Sequence, residues 1–112
     1  VIIMFNAAQW LDLYKFHACI YSDYQLAKRW KVPPTYISQY RKGRLRLPLA
    51  LILDVAEIVG VEPLEIIASL EYPRARENHQ ARIKQAYFDA LLKTIVDRMA
   101  AHHPGGYVRY KR

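Results

Sequence analysis

Residues 22–43 read SDYQLAKRWKVPPTYISQYRKG, and this stretch decides the fold because it encodes two short helices separated by a tight bend. Ser22 can accept a hydrogen bond from the backbone N–H of Gln25 while the Gln25 amide reaches back to Ser22, the reciprocal pattern of a capping box, with Tyr21 and Leu26 placed as a hydrophobic staple. Leu26, Ala27 and Trp30 then fall on one face at helical spacing, and Ala27 is small enough to admit a crossing backbone. These signals predict a helix over 22–30, followed by a bend at Lys31 and Val32. Pro34 pushes Pro33 out of the α region and itself suits a first helical position, so the second helix opens at Pro34. Gly43 closes it, being free to turn left-handed, and Arg41 and Lys42 sit against the negative end of the helix dipole.

Within the second helix, Ile37 and Tyr40 are three apart and point inward. Thr35, Ser38, Gln39 and Lys42 follow the i, i+3, i+4, i+7 rule and make one hydrogen-bonding stripe. Gln pairs with adenine edges, Ser and Thr hydroxyls adapt to several bases, and Lys reaches guanine or phosphate, so these side chains match the chemistry of a DNA major groove. A polar stripe of this kind also occurs on an ordinary solvated helix face. The charge distribution separates the two readings.

Residues 22–46 carry seven basic side chains (Lys28, Arg29, Lys31, Arg41, Lys42, Arg44, Arg46) against Asp23, a formal +6. Residues 47–71 carry five acids and no Lys or Arg, a formal −5. Charge is therefore segregated along the chain, and the basic block coincides with the two-helix unit. That coincidence suits a surface facing phosphates, with Lys28, Lys31, Arg41, Arg44 and Arg46 as the backbone-contacting candidates.

The stretch resembles the lambda-repressor-like, Cro-type helix-turn-helix regulators. The resemblance rests on Leu26-Ala27, Val32, Ile37-Ser38, Tyr40 and Gly43, then on the Arg-rich link to Pro48 and the run VAEIVGVEPLEII, and it covers about residues 7–71. It implies a compact all-α domain of five helices that binds a near-palindromic operator as a dimer, a repressor of the phage or prophage type. Carried over by position, it puts Pro34, Thr35, Ser38 and Gln39 at base edges and Lys42 at the groove or the backbone. Three positions depart from the family pattern. Lys31 stands where members often have Gly, which costs on the order of 1–2 kcal/mol if the bend is left-handed there. Pro34 can offer a base only apolar contact, and Asp23 replaces a Gln that the family sets against a phosphate.

Elsewhere the chain reads as helical. Asn6 and Gln9 form a second capping box with Phe5 and Trp10 as its staple, so a helix runs from Ala7 to about Ala18 and turns Leu11, Tyr14 and Ala18 to the core. Pro48 precedes a helix over 49–59 that Gly60 ends, and Glu62-Pro63 opens another containing Leu64, Ile66, Ile67 and Leu70. The domain is thus expected over 1–72. Residues 74–101, without Gly or Pro, suit one long helix with an apolar set including Ile83, Tyr87, Phe88, Leu91, Leu92, Ile95, Val96 and Met99. This element, 73–101, either folds back on the domain or pairs with a second chain. Pairing through Tyr87, Leu91, Ile95 and Met99 is the preferred expectation, because the five-helix unit has a core of its own. Residues 102–112 read as a flexible basic tail.

At 112 residues with 53% hydrophobic content, a core is feasible without disulfides or metal. Lone Cys19 allows no intrachain bridge and fits a reducing interior, and no signal peptide is visible, so a cytoplasmic protein is expected. His17, His79, His102, His103 and Cys19 match no zinc or metalloprotease spacing, and no phosphate loop or nucleophile elbow is present. The expectation is a non-enzyme with no cofactor, no membrane span and no evident small-molecule substrate, whose partner is double-stranded DNA. Two readings from other classes stay open: a protein-interaction module with a basic helical surface, and a single-stranded nucleic-acid binder. The nine tyrosines raise the latter, although Tyr14, Tyr21, Tyr36 and Tyr40 fall at expected core or helix-flanking positions.

Overall fold

The computed structural model describes residues 4–102. Among them every element is helical: α1 Ala7–Ala18, α2 Asp23–Trp30, α3 Pro34–Arg41, α4 Leu49–Val59, α5 Pro63–Glu71, a 3-10 turn Tyr72–Arg74, and α6 Glu77–His102. Each boundary has a local cause. At α1 the Asn6 side chain accepts from Gln9 N–H at 2.9 Å while Asn6 N–H donates to Gln9 Oε1 at 2.8 Å. The staple above this box is also present, with the Phe5 and Trp10 rings 5.1 Å apart.

The box at α2 closes differently from the expected one. Ser22 Oγ accepts from Gln25 N–H, but the Gln25 amide oxygen accepts from Tyr21 N–H at 2.9 Å, one residue before the cap. Tyr21 is 84% exposed and so does not staple Leu26. The α2 helix ends at Lys31, which is left-handed (φ 57, ψ 44) and whose N–H donates to the carbonyls of Ala27 and Lys28. An L side chain in that conformation costs on the order of 1–2 kcal/mol, which a glycine would avoid. Gly43 and Gly60 take positive φ at the ends of α3 and α4.

Helices α2 and α3 pack on each other, and α1 lies against both α3 and α4. Leu11, Tyr14, Leu26, Ile37, Val55 and Ile66 are fully enclosed. Each such apolar side chain stabilises the fold by roughly 1.5–3 kcal/mol relative to exposure. The polar groups carried in with the core are satisfied. Trp10 Nε1 donates to Ser69 Oγ at 2.8 Å, and Tyr14 Oη and Trp30 Nε1 both donate to Asp54 Oδ2 at 2.7 and 2.8 Å. Those last two bonds fasten α1 and α2 to α4. Asp54 is thus a structural anchor on the partly exposed side of α4.

Helix α6 folds back along α5, its most extensive packing partner. Tyr87, Ala90 and Thr94 are buried in that interface, Thr94 Oγ1 donates to Glu65 Oε1 at 3.2 Å, and the Arg98 guanidinium reaches the carbonyl of Gly60 at 3.1 Å. This corrects the expected pairing surface, because Tyr87 is only 7% exposed and Leu91 is half-buried within the same chain. The reason is geometric. A helix turns every 3.6 residues, so a line drawn through every fourth residue rotates by roughly 40° per step. The set Tyr87, Leu91, Ile95, Met99 therefore starts in the core and ends at the surface. The apolar face left uncovered is Phe88, Leu92, Ile95, Val96 and Met99, with Leu92 60% and Met99 67% exposed. No helix among the described residues is long and apolar enough to cross a membrane. Of the expected basic tail over 102–112, His102 is the last residue of α6, and 103–112 lie outside the described residues.

Candidate nucleic-acid interface

The geometry of α3 follows from how it is seated. Ile37 and Tyr40 are buried at 0% and 2% exposure, and together they fix which way the helix faces. Burial pushes the Tyr40 phenol up from its ordinary range, so it stays neutral, and its ring meets Tyr36 edge to face at 6.3 Å. On the other side of the helix Pro34, Thr35 and Lys42 are exposed, while Ser38 and Gln39 are half-buried. Among the described residues, the side chains of Thr35, Ser38, Gln39 and Lys42 make no hydrogen bond or ion pair. Four donors and acceptors thus project along one face with their bonding capacity turned to solvent.

Tyr36, expected at a core or helix-flanking position, is 44% exposed and borders this face beside Gln39. On α2, Tyr24 is 62% exposed, with Lys28 Nζ 5.7 Å from its ring centroid. Helical phase would have found Tyr36, because it lies one residue before buried Ile37 and four before buried Tyr40, at the edge of their face.

The cations divide into two kinds. Lys28, Lys31, Lys42 and Arg44 are exposed and form no ion pair among the described residues. Arg41 is different: in place of the expected phosphate contact it is held by carboxylates of its own chain. Its Nε and Nη2 donate to the two carboxylate oxygens of Asp23 at 2.8 Å each, a further guanidinium contact reaches Asp12 at 2.8 Å, and only 22% of its side chain is exposed. Lys15 also meets Asp23 at 2.9 Å. Hydrogen bonding from Arg41 holds the Asp23 carboxyl below the usual carboxylate range, against the opposing effect of burial. Asp23 is thus answered twice over, by Arg41 and by Lys15. Its role is to tie α1, α2 and α3 together through Arg41. Arg46, in the α3–α4 link, pairs with Glu71 at the end of α5 but stays 64% exposed, so it retains part of its field.

The structure thus brings Pro34, Thr35, Ser38 and Gln39 onto one helix with Lys42 at its C-cap, leaves Lys28, Lys31 and Arg44 open on the segments that flank it in the chain, and withdraws Arg41 into the scaffold. Among the described residues no group of His, Cys, Asp and Glu is arranged to hold a metal ion. Comparison of the chain with protein families, with curated proteins and with solved structures gives no match in any of the three.

Proposed function

We propose that the protein is a sequence-specific double-stranded DNA-binding regulator of the lambda-repressor-like type, in which α2 and α3 act as a helix-turn-helix and α3 enters the major groove. One observation carries this reading: Thr35, Ser38, Gln39 and Lys42 project from a helix whose opposite side is locked by Ile37 and Tyr40, and none of the four has an intrachain partner among the described residues. Buried anchors keep the reading groups in fixed register, which base recognition requires. Exposed Lys28, Lys31 and Arg44 supply the phosphate field, Arg46 contributes from the link, and Arg41 orients the pair of helices. Tyr36 joins the list at the edge of the reading face.

The regulator acts as a dimer, with the seam moved to Phe88, Leu92, Ile95 and Met99. Their 4-3-4 spacing keeps a narrow apolar line on one side of α6, as a paired helix needs. Occupation of an operator by such a dimer would repress transcription.

Titration of duplexes by the full chain tests the reading. Affinity should fall steeply with salt, and one base-pair change in a selected site should weaken binding by ~1–3 kcal/mol. Equal affinity for all duplexes would overturn it. The exposed rings of Tyr24 and Tyr36 favour a second reading, stacking on single strands, which tighter binding to a single-stranded oligonucleotide would select.

A further inference from the structure

We infer that the cavity between the α3–α4 link and the corner joining α5 to α6 binds a small amphipathic carboxylate, and that its occupancy tunes the DNA affinity of α3. The cavity measures about 770 Å³, within the range of sites that enclose a small organic molecule. Its lining is largely apolar, with Phe5, Leu45, Leu47, Ile52, Ile67 and Leu70. Beside Arg41 and Lys42 from the end of α3, three further cations line it, Arg46, Arg74 and Lys84, against Glu71 as the only acid among the described lining residues.

These three cations are not equivalent. Arg46 is answered by Glu71, and Arg74 donates to the carbonyl of Gly43 at 3.0 Å. Lys84 is half-buried at the cavity edge and forms no ion pair or hydrogen bond among the described residues. Its stem is partly covered while its ammonium has no counter-charge, and an anion seated in the cavity would supply one. One half-buried, unanswered cation beside an apolar lining matches a ligand with one carboxylate head and a hydrocarbon body; Lys42, the other unpaired cation of the lining, is exposed at the end of α3. A multiply charged phosphate would leave the apolar lining unused, and a neutral hydrocarbon would leave Lys84 as it is.

The site also touches the reading helix. Tyr40, Arg41, Lys42 and Gly43, the last turn of α3 and its cap, line the cavity. The Arg74 bond to Gly43 and the Arg46 pair with Glu71 straddle it, joining the end of α3 to the end of α5. A carboxylate that draws on Arg74 or Arg46 therefore competes with the bonds that set the end of α3. This coupling rests on the DNA-binding reading above, whereas ligand binding itself does not.

Calorimetry of the full chain with octanoate, 1-octanol and acetate separates the two. Octanoate should bind at one equivalent, at least tenfold tighter than 1-octanol, with no detectable uptake of acetate. Lys84→Gln should weaken octanoate about tenfold and leave 1-octanol unchanged, and Leu45→Trp, which narrows the cavity at an exposed position, should weaken both, each in protein whose circular dichroism matches the parent. Octanol binding as tightly as octanoate, no octanoate binding, or indifference to Lys84→Gln would overturn the site. Duplex titration with and without saturating octanoate then reads the coupling, expected as a change of fivefold or more. Octanoate binding that leaves duplex affinity unmoved overturns the coupling alone. Octanoate binding by a chain that takes up no duplex overturns the DNA-binding reading and leaves the carboxylate site standing.

Discussion

Helices α3 and α6 are each held by one face and open on another, and the open faces differ in kind. On α3 the open side carries hydroxyl, amide and ammonium groups; on α6 it carries Phe88, Leu92, Ile95, Val96 and Met99. The contrast teaches that attachment to the core and availability to a partner are separate properties of a helix. Water satisfies the α3 face, and a partner there must offer donors and acceptors of its own. The α6 face gains only by leaving water, so its natural partner is apolar. Under our proposal DNA meets the first and a second copy meets the second.

The largest effect should come from removing what seats α3. Ile37→Ala empties a fully enclosed site and should lower stability by ~2–5 kcal/mol, seen as a fall in the urea midpoint; Met99→Ala on the open face of α6 should stay within about 0.5 kcal/mol in the same assay at monomeric concentrations. Equal losses would erase the distinction between seated and open faces. Next in size is the pairing of α6. Leu92→Asp with Met99→Asp puts charges in the seam and should convert a dimer to a monomer in sedimentation, with the circular dichroism unchanged. A dimer that survives would move the interface elsewhere.

Recognition comes third. Gln39→Ala should reduce discrimination at one base pair by ~1–3 kcal/mol, whereas Arg44→Ala should weaken all duplexes alike and flatten the salt slope by about one. Arg41→Ala should behave unlike either, lowering stability because Asp12 and Asp23 lose their shared partner. Smaller still, Lys31→Gly should raise stability by about 1 kcal/mol by relieving the left-handed bend. The least is a pH effect. Burial pushes the Glu65 carboxyl up, against the Thr94 hydroxyl bond, so the folded state holds its proton more tightly than the unfolded one. Stability should then decline as pH rises from the ordinary carboxylate range through the raised folded value, and Glu65→Gln should remove that decline in urea midpoints measured against pH. Asp23 works in the opposite sense, because its lowered value makes its contribution disappear as pH falls, so the variant comparison isolates Glu65.

Local signals were legible where a few neighbouring residues decide the outcome. The Asn6 box starts α1 at Ala7, the Pro33-Pro34 pair starts α3, and Gly60 ends α4, all as their chemistry dictates. What sequence could not supply was long-range pairing. Arg41 reads as one cation in a basic block, yet Asp12, twenty-nine residues earlier, and Asp23 claim it. Likewise Tyr87 and Leu91 belong to a broad apolar set, and only packing on α5 tells which part of that set is covered. The cavity draws on Phe5, Leu45, Ile67 and Lys84, which no sequence window joins.

Selection of bound duplexes from a random pool, run in parallel with the parent chain and Gln39→Ala, tests the α3 reading face most directly. The account predicts a near-palindromic consensus for the parent and loss of preference at one symmetry-related position for the variant. Recovery of no consensus, or of the same consensus from both proteins, would contradict it.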